Sequence, residues 1–179
     1  PGIFYVPILD PRKYNCVGMT TLFLHEAIPG HHYQISLQQE NKSLPAFRRF
    51  LWYGAYGEGW AHYCETLGKD LGVYNDPYQY FGHLSDGILR AIRLVVDIGI
   101  HYKGMTREEA IKYMMDHELI SEADATSEIE RYMAIPGQAL SYKIGQLAIS
   151  GERKKYEKEL GSKFDIASFH AEVLRDGCL

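Results

Sequence analysis

Cysteine is scarce and scattered. The chain has 3, at Cys16, Cys64 and Cys178, with no Cys-x-x-Cys pair, so neither a thiolate zinc site nor a disulfide framework is indicated. Buried free thiols are the expectation. No apolar run approaches the length that crosses a bilayer, and no signal peptide is visible. Neither sign of charge dominates: 19 Lys and Arg against 23 Asp and Glu leave a formal net charge of −4. That balance speaks against a general affinity for nucleic acid or acidic membrane. Internal repeats and low-complexity tracts are absent. An initiating Met is missing too: the sequence starts at Pro1 and stops after Gly177-Cys178-Leu179. The expectation is a fragment or processed form, whose missing signal leaves the compartment open between cytoplasmic and exported.

What is present suits one well-buried domain over residues 1–179, with little room for two. The 46% hydrophobic content is ordinary, but 14 Tyr are many for this length. Tyr buries apolar area and keeps a polar tip, so it serves clefts, helix contacts and cores alike.

Residues 2–9 are β-branched and aromatic and predict one short strand, held to an edge by Pro7. Asp10-Pro11 then breaks the chain. From Val17 the signals are helical. A first helix is predicted over about 17–38, interrupted at Pro29-Gly30, and Asn41-Lys42-Ser43 is a loop. Pro45 suits the first turn of a second helix reaching about Leu71. Asn75-Asp76-Pro77 opens a third, to about His101, with Ile88, Ile92, Val95 and Val96 as its buried stripe. Thr106 to Glu109 fits a capping box for a fourth. Ser121 caps a fifth, ending before Pro136-Gly137. Residues 138–160 form a sixth, with a solvated Lys/Glu-rich end, and 165–176 a last short one. The fold class is mainly α, with an edge strand beside the first helix.

Chemistry concentrates in Leu22-Phe23-Leu24-His25-Glu26-Ala27-Ile28-Pro29-Gly30-His31-His32. Zinc favours neutral imidazole nitrogen and carboxylate oxygen. The usual His-Glu-x-x-His pattern sets two imidazoles on one helical face. Here His25 and His31 are six apart, on different faces of an ideal helix at about 100° per residue. His25 and His32 share a face but lie two turns apart. Neither pair can chelate one ion from a straight helix. Pro29 changes this: it lacks an N–H for the carbonyl of His25, and it biases Ile28 away from helical angles. Gly30 can then take positive φ, and a bulge would bring a later imidazole back beside His25. His31 is preferred because it follows the bulge directly, with His32 as the alternative ligand or a supporting donor. The competing reading is a kinked core helix whose histidines bond to neighbours. A second His-Glu pair, His117-Glu118, lies in a polar stretch without a partner and reads as surface.

The third ligand should come from another helix. Glu58, His62 and Glu65 fall at i, i+4 and i+7, on one face of an aromatic-rich segment. Two carboxylates and an imidazole are costly to bury there without charge compensation, which a metal would supply. Glu58 is the chosen ligand, and Glu65 would orient a ligand imidazole. An exposed polar stripe is the alternative, weakened by Trp52, Tyr53, Tyr56, Trp60 and Tyr63. Gly54, Gly57 and Gly59 would let the first helix approach closely.

His25 to His32, Glu58-Gly59-Trp60-Ala61, and Pro136-Gly137-Gln138-Ala139-Leu140-Ser141-Tyr142-Lys143-Ile144-Gly145 together resemble the three signature blocks of the bacterial family labelled domain of unknown function 885. Arg93 to His101 and Phe169 to Gly177 are similar to it as well. The resemblance covers essentially the whole chain and implies the C-terminal catalytic portion of a longer protein, whose N-terminal helical half would be its partner. It further implies a zincin-like fold, related to thimet-oligopeptidase-like and carboxypeptidase-Taq-like enzymes. In those, a Glu on the following helix is the third zinc ligand and a second Glu comes seven residues later, a spacing that Glu58 and Glu65 match. The lengthened His-Glu segment departs from those relatives.

The expectation is a one-zinc hydrolase, most simply a metallopeptidase acting on a peptide or another amide. His25, His31 and Glu58 would hold the ion, and Glu26 would take a proton from water and pass it to the leaving amine. The relatives use tyrosines from a comparable late helix, so the resemblance implies Tyr142 as a further electrophile; a core Tyr is its other reading. Arg93, Asp97 and His101 share a face at i, i+4 and i+8, and would either hold a substrate carboxylate or pair with one another, pairing being favoured. Arg131 and Lys143 are further carboxylate anchors. The strand Phe4-Tyr5-Val6 could align an extended peptide. Competing readings are a metal-dependent hydrolase of another amide or ester, and a non-catalytic helical interaction module with a vestigial site.

Overall fold

In a computed structural model describing residues 2–6, 8, 14 and 16–178, the chain is built from helices. In order these are α1 (Met19–Glu26), α2 (His31–Glu40), α3 (Ala46–Phe50), α4 (Gly54–Thr66), α5 (Pro77–Tyr102), α6 (Arg107–His117), α7 (Glu122–Ala134), α8 (Ser141–Leu160) and α9 (Ile166–Arg175), with single 3-10 turns at Gln138–Leu140 and Gly161–Lys163. The helix starts follow local chemistry. Asp76 accepts from the Tyr78 amide at 2.9 Å with Pro77 in the first turn of α5. Thr106 and Glu109 form a reciprocal capping box on α6. Ser121 and Asp165 accept from the third residue of α7 and α9. Each satisfies an amide that the helix cannot, worth about 1 kcal/mol.

Four sequence expectations are corrected. No strand forms among the described residues of the 2–9 segment; Pro7 and Leu9, like Asp10 and Pro11 after them, lie outside those described. An edge strand needs a strand to pair with, and the described residues offer none. Instead Phe4 packs edge-on against Phe23 of α1 at 5.9 Å. The second predicted helix is two, because extended backbone at Leu51 and Tyr53 separates α3 from α4. On α5, Ile92 and Val96 are buried, but Ile88 and Val95 face outward at 48% and 42% exposure; the buried face is rotated toward Arg90, Arg93 and Asp97. Of the cysteines, all free, Cys64 is buried, Cys178 half-buried and Cys16 exposed.

Two apolar clusters flank the site. One joins α5, α6 and α7 through Ile92, Val96, Met114, Ile129 and Tyr132. The other joins α4 and α9 through Trp60, Tyr63, Cys64, Phe169 and Leu174. The principal partner of α4 is α8 rather than the first helix. A Cβ at Gly59 would lie 2.4 Å from the Gly145 Cα, and one at Gly145 would lie 1.9 Å from the Ala55 carbonyl oxygen. Only a glycine pair allows this backbone contact. Gly57 serves a different neighbour, the ring of Trp52, which occupies the space a side chain would need.

Candidate metal centre

The break after α1 brings the first two imidazoles together. α1 ends at Glu26, and α2 begins at His31 after a non-helical stretch that contains a cis Ile28–Pro29 bond. Gly30 has φ −72°, not the positive value expected. Glycine is required there for space: a Cβ would sit 1.9 Å from the His25 carbonyl oxygen and 2.4 Å from that of Leu24. The chain therefore doubles back onto the end of α1. Trp60 fixes the loop from α4, donating from Nε1 to the Pro29 carbonyl at 2.8 Å. The His25 and His31 rings meet edge-on with centroids 4.7 Å apart.

Glu58 of α4 completes the group. Its Oε2 lies 3.1 Å from His31 Nε2 and 3.5 Å from His25 Nε2. One donor atom from each of the three residues lies within 4.8 Å of the others. Zinc bonds of about 2.0–2.1 Å in tetrahedral geometry place ligand atoms about 3.3 Å apart, so the three donors are near enough to one another to hold one ion. His25 is gripped on its far side, where Nδ1 meets Glu65 Oε1 at 2.7 Å. The second oxygen of Glu65 meets His62 Nδ1 at 3.0 Å. Glu65 is fully buried, and Arg90 NH2 approaches it at 3.7 Å. A carboxylate on Nδ1 presents Nε2 to a metal in the usual manner of ligand histidines.

The electrostatics couple these imidazoles and carboxylates to one another. Burial alone would lower the His25 pKa, but hydrogen bonds to Glu58 and Glu65 raise it from 6.5 to about 9. Burial would raise Glu58, yet bonds from His25 and His31 hold it down at about 2. Glu65, despite its burial, is held well below the ordinary carboxylate range by His25 and His62. Burial lowers the pKa of His62, against the opposing pull of Glu65.

The other sequence candidates fall into place around this group. His32 is exposed and outside it; its ring packs on Gly2. Glu26, also exposed, lines with His32 and residues 2–5 a groove of about 720 Å³. Tyr142 of α8 stacks on His25 with centroids 6.1 Å apart, beneath the Arg93 guanidinium at 4.7 Å. Arg93, Asp97 and His101 do not pair with one another. Arg93 donates to Tyr132 Oη at 2.7 Å and Glu128 at 2.9 Å. Asp97 accepts from the Gly137 amide, and His101 Nε2 lies 3.0 Å from the Tyr132 carbonyl. All three tie α5 to α7 and the turn after it, because successive turns of one face meet a different partner before they meet each other. Arg131 binds Glu128 at 3.1 Å. Lys143 is half-buried, its pKa lowered by that burial against the opposing pull of Glu65. His117 is exposed as expected, but Glu118 is half-buried with one carboxylate oxygen enclosed and unpaired.

Sequence reasoning missed Arg90, Glu128, Tyr132 and Trp52. Arg90 and Arg93 at i and i+3 within an apolar helix were the available signal, since such charges are buried only when paired. Trp52 closes the far side of His31 at 5.5 Å between centroids, and nothing in its sequence position distinguishes it from the neighbouring aromatics.

A family model described as "Bacterial protein of unknown function (DUF885)" matches residues 1–179. The chain superimposes on the crystal structure of a "putative lipoprotein" from Colwellia psychrerythraea with a TM-score of 0.96 and 48% identity, covering 99% of this chain and 31% of that one. It is also similar to the structure of a "putative lipoprotein of unknown function" from Shewanella oneidensis, with a TM-score of 0.86 and 31% identity over 97% of this chain and 34% of the other. The chain thus spans about a third of the length of these structures. Among curated proteins none matches significantly.

Proposed function

The chain belongs to the bacterial family of proteins of unknown function 885, and from that premise we propose that it carries the centre of a zinc-dependent hydrolase, most simply a metallopeptidase of zincin type. The carrying observation is the convergence of His25 Nε2, His31 Nε2 and a Glu58 oxygen, with Glu65 holding the far nitrogen of His25. Two imidazoles and a carboxylate with an open fourth position are the donor set of hydrolytic zinc sites. Zinc supplies Lewis acidity, polarising a carbonyl and acidifying water. Glu26, next to His25 and open to the groove, takes the proton from water and delivers it to the leaving amine. The Tyr142 hydroxyl, on a ring stacked against His25, donates to the oxygen that gains charge. The lipoprotein names of both structural neighbours support an exported protein, and among the described residues no helix is long and apolar enough to cross a membrane. The matched structures, about three times as long, support a catalytic domain within a larger chain.

The test is metal uptake followed by a peptide-library digest read by mass spectrometry. The expected result is about one zinc per chain on titration, cleavage lost on chelation, and a Glu26→Gln variant that retains the metal but is at least about a hundredfold slower. A wild-type chain that takes up no zinc when metal is supplied overturns the reading, and equal turnover by the variant removes Glu26 from its role.

A further inference from the structure

Gln138 links Glu58 of the centre to Tyr142 and Arg131. Its amide nitrogen donates to Glu58 Oε1 at 3.3 Å and to Tyr142 Oη at 3.0 Å. Its amide oxygen accepts from Arg131 NH1 at 3.3 Å. Both hydrogens and the carbonyl are therefore used, and the orientation is fixed by chemistry: a carboxylate demands the NH2 side and a guanidinium the C=O side. The residue is also well mounted. It opens the 3-10 turn Gln138–Leu140 directly after Gly137, whose amide donates to both oxygens of Asp97 at 3.1 and 3.2 Å. Arg131 is in turn anchored to Glu128, which also binds Arg93.

We propose that Gln138 is the positioning residue of the centre: it occupies Glu58 Oε1 so that Oε2 alone faces the two imidazoles, and it holds the Tyr142 hydroxyl beside them, with Arg131 acting through it. This rests on the metal-centre reading. Glu58 has two oxygens, and a carboxylate free to turn would present either or both to an ion. The Gln138 amide holds one oxygen, and the imidazoles share the other. A carboxylate at position 138 would face Glu58 with like charge, and an apolar group would leave Oε1 without its donor. Arg131 polarises the amide from behind, so removing it should weaken the same contact rather than a separate one.

The experiment uses Gln138→Met, Arg131→Met and the double variant in the full chain, with zinc affinity from chelator competition and the visible absorption of the cobalt-loaded form. Circular dichroism of the metal-free proteins reports folding. Gln138→Met is expected to fold and to bind zinc about ten- to a hundredfold more weakly, as for other partners of metal ligands, with a changed cobalt spectrum. Arg131→Met should lose less, and the double variant no more than Gln138→Met alone. Gln138→Asn, if it fails as Gln138→Met does, shows that reach matters and agrees with the proposal. Wild-type affinity and spectrum in a folded Gln138→Met overturn it, and additive losses overturn the part assigned to Arg131. Absence of zinc and cobalt binding by the wild type removes the metal centre itself, and this inference with it. An unfolded Gln138→Met would assign the residue to stability instead.

Discussion

At the scale of single residues, a buried carboxylate and a half-buried one decide how the molecule responds to substitution and to acid. Glu65 has its oxygens divided between His25 and His62 with Arg90 close by. Removing one partner of such a buried group leaves the others uncompensated, at a cost of roughly 3 kcal/mol or more. Glu65→Leu should therefore lower the urea midpoint of the metal-free protein by that order without changing the slope, and an unchanged midpoint would show that the cluster is not coupled to folding. Glu128 gives the pH dependence. Burial would raise its pKa, but bonds from Tyr132 and Arg131, with the nearby Arg93 charge, hold it at about 2 against an ordinary 4.5. A carboxyl depressed in the folded state contributes stability above its unfolded pKa and loses it as pH falls through the folded one. The contribution is thus complete above about pH 4.5 and gone near pH 2. With its side chain 27% exposed, solvent screening limits it to about 1–2 kcal/mol. The stability gap between wild type and Glu128→Gln should close across that window, and a gap of constant size from pH 7 to pH 2 would contradict the assignment.

At the scale of elements, the site depends on two close backbone approaches. The Gly59–Gly145 contact seats α4 on α8 one residue from Glu58. Gly145→Ala pushes a methyl group into the Ala55 carbonyl, and overpacking of this kind costs about 1–3 kcal/mol. Denaturant unfolding should show that loss, and zinc affinity should fall with it because Glu58 moves; full affinity at reduced stability would mean that α4 adjusts without disturbing the ligand. Much of this level was legible in the sequence. The caps at Asp76, Thr106, Ser121 and Asp165 are local signals, and a local hydrogen bond decides each one. The Pro29-Gly30 break was legible too, because Pro removes a donor whatever its surroundings. Three features were not. The break at Leu51 to Tyr53, where the Trp52 ring packs over Gly57, contains no proline or glycine to mark it. The glycines of α4 were assigned to the wrong neighbour, since small residues announce a close approach without naming the partner. Gly30 needed room rather than an unusual φ, and the two requirements look alike in a sequence. Bringing His25, His31 and Glu58 to one point could be argued only through the imidazole-carboxylate chemistry itself, whereas the lattice of Arg93, Glu128, Tyr132, Arg131 and Gln138 depends on how α5, α7 and α8 converge.

At the scale of the whole molecule, the outward-facing half of the expected α5 stripe becomes informative. Phe81, Leu84, Ile88, Val95, Ile98 and Tyr102 are all 40% exposed or more, and with exposed Ala91 they recur at alternating steps of three and four. That is the spacing of a helix-packing seam. Ile88 and Val95 of the expected stripe lie on it, whereas Ile92 and Val96 lie on the core-facing side with Arg90, Arg93 and Asp97. The seam runs for about 32 Å at 1.5 Å per residue. At about 10 Å wide it offers about 300 Å² per copy, well short of the roughly 800 Å² per partner of a stable complex. The chain on its own should therefore self-associate weakly and reversibly, with sedimentation velocity showing monomer at low concentration and a rising average mass as concentration increases. Ile88→Lys with Val95→Lys should abolish that rise, because two charges on the seam would have to be desolvated for the helices to meet. Both positions are remote from the core side of α5, so circular dichroism and zinc uptake should be unchanged in the double variant. A concentration dependence that survives both lysines would place the association on another surface.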